Sequence, residues 1–218
     1  MADLTLDLGG RPATVAIETA VVAGWTGRDR AAVEQHIAEL EALGVARPSS
    51  APLFYRVSAS RLTTASEIEA TASSSGEVEA VLLRHDGRLW VGVGSDHTDR
   101  ELETFSVAVS KQLCDKPIAG ELWGYEDVAD HWDRLALRSW IDEDVLYQEG
   151  TLDGLIPPEE LLDLMKPPLT DGTLMFCGTF AARGGIRPAG VFRYELEDPV
   201  LGRTIAGHYS MRTLPMIS

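Results

Sequence analysis

Three carboxylates stand at spacings that could hold a cation. Glu77-Val78-Glu79 puts two acids on one face of a strand, because strand side chains alternate with a period of two. Like charges so placed repel unless water screens them or something positive lies between them. Taken alone, such a pair more often marks an exposed strand edge, and Asp96 is what sharpens it. Asp96 sits in Gly92-Val93-Gly94-Ser95-Asp96-His97, directly after a strand-like run and before a helix start. Glycines beside a carboxylate let backbone approach a ligand closely. Hard oxygen donors suit Mg²⁺ or Mn²⁺, with Ca²⁺ as a possible substitute, better than Zn²⁺. His97 is left out of the set, since its side chain should point to the other face of the local chain.

The elements that must position these groups can be read from periodicity. Leu4 to Trp25 alternates around Gly9-Gly10 and predicts a hairpin. Asp29 to Leu43 changes to helical spacing, with Val33, Ile37, Leu40 and Leu43 on one face and Gly44 as a stop. A proline-marked loop, Arg47 to Pro52, leads to a short strand at Leu53 to Val57, and Thr71 to Gly76 reads as a loop tip. Glu77 to Leu83 and Leu89 to Val93 form strands joined by the turn Asp86-Gly87. Thr98-x-x-Glu101 fits a capping box for a helix with Leu102, Phe105 and Val109 as its apolar stripe. Further strands are expected at Arg134 to Ile141, Thr173 to Cys177, Gly190 to Leu196 and Thr204 to Leu214, with a short helix opened by Pro157-Pro158 and ended by Pro167. Strands dominate, so the expected class is α+β, a large mixed or antiparallel sheet system with a few inserted helices, formed by one domain over 1–218.

Composition narrows the partners. The chain has 218 residues and a formal charge of −15 with no Lys/Arg run, which disfavours nucleic acid and anionic membranes. No apolar run approaches the roughly 18 to 20 residues that span a bilayer. Cys114 and Cys177 lie far apart with no base at useful spacing, which predicts reduced packing residues in a cytoplasmic protein. His36 and Glu39 are neighbours on the first helix. On the helical wheel His36 falls between Leu40 and Leu43, where a histidine is more often a core residue satisfied by a backbone bond.

The order of these segments resembles the fumarylacetoacetate hydrolase superfamily. Glu77-x-Glu79 and Asp96 match its metal-binding acids, and Asp96-His97-Thr98-Asp99-Arg100 is similar to its Asp-x-(Thr/Ser)-x-Arg run. Lys111 matches a later lysine, Tyr147-Gln148-Glu149-Gly150 resembles an Arg-Gln-x-Gly turn, and Asp171 to Thr179 resembles a Gly-Asp-hydrophobic-Gly-Thr-Pro segment. His36-Ile37-Ala38-Glu39 matches a His-x-x-Glu on an N-terminal lid helix, here within about residues 1–46. Phe180 stands where the pattern has proline, Ala182-Arg183-Gly184-Gly185 loosens a glycine-rich turn, and the interval from Glu79 to Asp96 is short.

The resemblance implies a β-rich mixed sheet or β-roll, a homodimer, and a small organic acid as substrate. It implies that Glu77, Glu79 and Asp96 hold the metal, that Lys111 supports a developing oxyanion, and that Glu39 holds His36 as base toward water. Arg100, Gly178 and Thr179 would contact the substrate, with a surface ion pair the alternative for Arg100 and a solvated helix end for Lys111. The expected reaction cleaves a carbon–carbon bond, by hydrolysis or decarboxylation, in a 2-oxo acid or 1,3-dicarbonyl compound through an enolate. An enol/keto isomerase, a non-catalytic acid-binding or scaffold member, and an unrelated β-rich module with a solvent-facing Glu-x-Glu pair are the alternatives.

Overall fold

A computed structural model describes residues 1–42, 46–142 and 144–217. The chain opens with three strands, β1 (Ala2–Leu8), β2 (Pro12–Ile17) and β3 (Thr19–Gly24), then helix α1 (Arg30–Ala42). Next come β4 (Leu53–Val57), β5 (Leu62–Thr63), β6 (Glu67–Ala70) and β7 (Ser74–Ser75). The hairpin β8 (Val78–His85) and β9 (Arg88–Ser95) leads to β10 (Thr98–Asp99), α2 (Arg100–Glu103) and α3 (Val107–Leu113). After β11 (Lys116–Pro117) and β12 (Glu121–Gly124), the chain continues through β13 (Ala136–Ile141), β14 (Val145–Thr151) and α4 (Pro158–Leu164). It ends with β15 (Thr173–Phe176), β16 (Val191–Asp198) and β17 (Arg203–Thr213).

Two sheets carry the architecture. The larger has eight strands in the order β2-β1-β12-β9-β8-β15-β3-β4, and the smaller has five in the order β14-β13-β16-β17-β6. Parallel pairings of β1 with β12, β15 with β3 and β17 with β6 interrupt an otherwise antiparallel pattern, so the sheets are mixed. β8 is buried on both faces. Ala80 and Leu82 join Phe192, Tyr194, Ile205 and Tyr209 of the smaller sheet in one core cluster. Val81 and Leu83 join Leu6, Ile17 and Leu122 in the other. Burial of both faces explains why β8 reads as a continuous apolar run after Glu79. This is the β-rich mixed-sheet architecture with few helices that the sequence predicts.

The hairpin that aligns the carboxylates turns at Asp86-Gly87, both with positive φ (51° and 71°), as a tight two-residue turn requires. Its register pairs Val78 with Ser95 and Glu79 with Gly94. The separation of Glu79 from Asp96 in sequence is therefore the length of one hairpin.

Three local expectations differ. Residues 71–76 are not a loop tip: Ser74 and Ser75 are buried and pair with Thr98–Asp99, because their small hydroxyls fit beneath β10. The helix after Asp96 is two short helices, capped by Asp99 and Ser106 rather than by Thr98, and Leu102, Phe105 and Val109 are exposed. Two side chains that accept backbone N–H bonds within one stretch reset the helix axis, so no continuous stripe faces the core. In α1 Ile37 is buried while His36 is exposed; Leu43, Gly44 and the side chain of Leu40 lie outside the described residues. His36 thus does not occupy the apolar face on which helical spacing puts it.

Candidate metal centre

Glu77, Glu79 and Asp96 converge, each with a carboxylate oxygen within 4.8 Å of the others'. Two backbone facts bring them there. Asp96 N–H donates to Glu77 O (2.9 Å) across the open end of the hairpin, and the β8–β9 register places Glu79 beside Gly94. The pair is therefore not a solvent-facing edge remote from Asp96.

Each carboxylate is held differently. Glu77 faces Arg100, whose Nη2 lies 3.3 Å from its Oε2. Arg100 also donates from Nε to Ser75 Oγ (2.7 Å) and from Nη1 to Glu103 Oε2 (2.9 Å), so its fork is engaged inside the protein. Asp96 is fully buried between two ammonium groups, with Lys111 Nζ on Oδ2 and Lys116 Nζ 3.0 Å from Oδ1. Glu79 is 3% exposed and accepts from Gly178 N–H at 2.6 Å.

Charge and burial pull these groups apart. Burial, reinforced by the charges of Asp96 and Glu77, pushes the Glu79 carboxyl well above the usual carboxylate range despite Lys111 and the Gly178 N–H. Burial also opposes ionisation of Asp96, but Lys111 and Lys116 override it and hold that carboxyl below its ordinary value. Burial acts to lower Lys111, and Asp96 and Glu77 overcome it and raise that ammonium. Burial pulls Lys116 down against Asp96. Burial, Lys116 and Arg100 together bring His97 down to about 3, so the imidazole is neutral.

The surrounding groups fix this geometry. Gly178 (φ 101°) must lack a side chain, since a Cβ there would lie 1.7 Å from Thr26 Oγ1. Thr179 Oγ1 donates to Val78 O (2.7 Å), and Gln148 Nε2 donates to Thr179 Oγ1 (2.8 Å) and Phe180 O (2.7 Å). Gln148 Oε1 accepts from Val78 N–H (2.9 Å) and Ser139 Oγ–H (3.0 Å), which saturates the buried amide. Behind Asp96, His97 bonds Tyr209 OH through Nδ1 (2.8 Å) and Ser74 Oγ through Nε2 (2.9 Å), turned away from the carboxylates. Gly94 lets the Pro117 backbone approach, for a Cβ would meet Pro117 O at 2.8 Å, and this seats Lys116 under Asp96.

The sequence-predicted residues divide into two groups. Glu77, Glu79, Asp96, Arg100, Lys111, Gly178 and Thr179 form one contact network. Lys111 is buried rather than a solvated helix end, its Nζ 5.8 Å from the Tyr55 ring centroid. His36 and Glu39 stand on α1 with side chains 62% and 59% exposed, Nδ1 to Oε2 3.8 Å. Among the described residues, no hydrogen bond or ion pair joins them to the carboxylates. The nearest relation runs through aromatic groups: the His36 ring lies 6.0 Å from that of Trp25, whose indole N–H donates to Tyr55 OH at 3.2 Å. Sequence reasoning missed Lys116, Gln148 as a strut, and the His97–Tyr209–Ser74 cluster. Their signals, a lone lysine, an amide and serines, are common on surfaces and mark nothing until the fold buries them.

The centre fits a divalent cation on its own chemistry. Three hard-oxygen donors converge, and Glu79 is a buried carboxylate with one neutral N–H donor and, among the described residues, no ion pair of its own, the kind of group that a metal completes.

Comparison with known proteins bears on the family and the fold. Residues 23–209 match the model of a family described as "Protein of unknown function (DUF2848)". A search of curated proteins returns no match. Among solved structures, a candidate fumarylacetoacetate isomerase/hydrolase from Oleispira antarctica superposes with a TM-score of 0.71 at 19% identity, covering 97% of this chain and 100% of that one. Fumarylacetoacetate hydrolase from Exiguobacterium antarcticum gives 0.64 at 14% identity, covering 92% of this chain and 79% of that one. A 2-keto-3-deoxy-D-arabinonate dehydratase complexed with magnesium and 2,5-dioxopentanoate gives 0.62 at 14% identity, covering 94% and 78%. At these identities the likeness establishes the fold.

Opposite substitution effects follow from the opposite environments. Glu79 has a raised folded-state value, so its contribution to stability is present at low pH and lost as pH rises through that value. Glu79→Gln should therefore raise the melting temperature of chelator-treated protein at neutral pH, increasingly so as pH rises. Asp96→Asn strands two buried ammonium groups and should cost about 3–5 kcal/mol. Thermal and urea melts in chelator across pH check both signs.

Proposed function

The chain belongs to the DUF2848 family and has the fold of the fumarylacetoacetate hydrolases, and from that premise we propose that it is a divalent-metal-dependent enzyme cleaving a carbon–carbon bond in a 2-oxo acid or 1,3-dicarbonyl compound. One observation carries the reading: Glu77, Glu79 and Asp96 converge where Glu79, among the described residues, has no direct ion pair of its own. A dehydratase of the same fold, solved with magnesium and a dioxo acid, supports the choice of ion and substrate class.

Glu77, Glu79 and Asp96 would hold Mg²⁺ or Mn²⁺, with Ca²⁺ a possible substitute. Bound there, the ion supplies Lewis-acid stabilisation of negative charge on the substrate's oxygens. Arg100 orients Glu77, its own fork held by Ser75 and Glu103. Gly178 N–H orients Glu79, and Thr179 with Gln148 fixes the start of β8, so these residues act on the ligands rather than on the substrate directly. Lys111 adds positive charge where an enolate oxygen develops, and the low-dielectric surroundings strengthen that interaction. Glu39 orients His36, which takes a proton from water when α1 closes over the substrate; closure is the step that selects hydrolysis. With α1 open and water not activated, an enolate of the same kind would form instead by loss of CO₂ from the substrate, which leaves the bonding pair on the enolate, or by removal of an α proton in keto–enol exchange. The whole chain works as one catalytic unit, as a homodimer.

The exposure of His36 and Glu39 favours a second reading, an acid-binding member without turnover. Calorimetry and product assays with a panel of 2-oxo acids separate the two: metal-dependent binding with no product on long incubation would establish the second. For the enzyme reading, Glu79→Gln should abolish both Mg²⁺ binding and turnover. His36→Ala should bind Mg²⁺ as wild type does while losing at least about a hundredfold in hydrolysis. Turnover by metal-stripped Glu79→Gln protein would sink the metal role.

A pH effect follows as well. Because Glu79 must shed a proton held more tightly than an ordinary carboxyl's, Mg²⁺ affinity should weaken on acidification well before pH reaches the usual carboxylate value of about 4.3. Mg²⁺ titrations at stepped pH read this directly.

A further inference from the structure

Asp96 is held by two ammonium groups that differ in kind. Lys111 projects from α3 beside Tyr55 at the edge of the centre. Lys116 lies beneath it with no exposure, on a two-residue strand that pairs in parallel with Leu62–Thr63. Its Nζ donates to His97 O and stands 3.0 Å from Asp96 Oδ1. No step of the mechanism above uses it. Burying an ammonium costs several kcal/mol, and a methionine would fill the same space without that penalty, so the charge itself calls for a function.

Counting charges supplies one. Once all three acids are ionised, as a bound cation requires, Glu77, Glu79 and Asp96 balance Arg100, Lys111 and Lys116. Glu103, 27% exposed, sits at the outer side of Arg100. A divalent cation added to a centre already balanced leaves two positive charges uncompensated in a low dielectric. A ligand carrying two negative charges removes that excess, whereas a monoanion removes half of it.

We propose that Lys116 sets the balance between the two binding events, weakening the hold of Glu77, Glu79 and Asp96 on a bare divalent cation and strengthening the hold of the loaded centre on a dianion. The inference rests on those carboxylates being the metal ligands. Lys116 draws on the charge of Asp96 that a second cation would otherwise use, and it repels that cation while attracting an anion. The favoured class is an acid that is dianionic when bound, such as a 2-oxo acid in its enolate form.

Calorimetry with Mg²⁺ and two isosteric acids tests this, oxalate as the dianion and oxamate as the monoanion. Wild type is compared with Lys116→Met and Lys116→Gln, which remove the charge, and with Lys116→Arg, which keeps it. In the two neutral variants Mg²⁺ alone should bind at least about tenfold more tightly, and oxalate should bind the Mg²⁺-loaded protein about tenfold more weakly. Oxamate should change less than oxalate, and Lys116→Arg should keep the wild-type affinities. Glutamine retains a donor for His97 O, so a folding defect in the methionine variant leaves the comparison standing. Wild type alone supplies a further arm: oxalate should raise its Mg²⁺ affinity over oxamate by more than the two acids differ toward free Mg²⁺. Unchanged affinities for Mg²⁺ and oxalate, or weaker Mg²⁺ binding in the neutral variants, would overturn the proposal and leave Lys116 as a strut for Asp96. Absence of Mg²⁺ heat in wild type and in every variant overturns it too, and that pattern marks failure of the metal reading instead.

Discussion

Like charges gathered out of water dominate the design of this protein. Three carboxylates meet where little solvent reaches, and the fold compensates each by a different route. Arg100 compensates Glu77 from the side, two lysines compensate Asp96, and Glu79 receives one backbone N–H. Removing a partner from such a centre costs more than the partner contributes, because a charge is left buried and alone. The positions of Ser75, Gly94 and Gly178 follow from that constraint. Each brings a donor or a backbone segment close enough to serve.

The asymmetry among the three acids has a chemical use. Asp96 is a permanent anion, whereas Glu79 is ionised only against its surroundings. A centre with one committed and one reluctant carboxylate carries its attraction for a cation largely in the reluctant one. The neutral His97, Tyr209 and Ser74 behind Asp96 add hydrogen bonds without adding charge, so they stiffen the wall and leave the balance to the ionised groups.

Much of the fold was legible because β-strands write their burial into the sequence. The run after Glu79 and the Asp86-Gly87 turn announce a hairpin, and that hairpin accounts for the meeting of Glu79 with Asp96. Strands such as Leu53–Val57 and Thr173–Phe176 lie where alternation or apolar runs put them. The helices were less legible. Leu102, Phe105 and Val109 have helical spacing, yet Asp99 and Ser106 each start a new turn of helix and leave those side chains in solvent. Ser74 and Ser75 look like a loop because small hydroxyls fit loops and tight strand contacts equally well. Lys116 and Gln148 lie beyond the reach of local reading, since Lys116 meets Asp96 from 20 residues away and Gln148 meets Thr179 and Val78 from 31 and 70. The acids are recognisable from sequence by their mutual spacing; the groups that tame them come from two short helices, a strand and a loop.

The contact between Thr26 and Gly178 has a mechanical meaning. Thr26 fills the space that any side chain at Gly178 would need, and the N–H of that same glycine grips Glu79. One residue earlier, Trp25 takes a left-handed backbone conformation (φ 62°) as the chain leaves β3 toward α1. The segment that leads into the first helix and the grip on a buried carboxylate therefore meet at one contact, and a side chain added at Gly178 would disturb both at once.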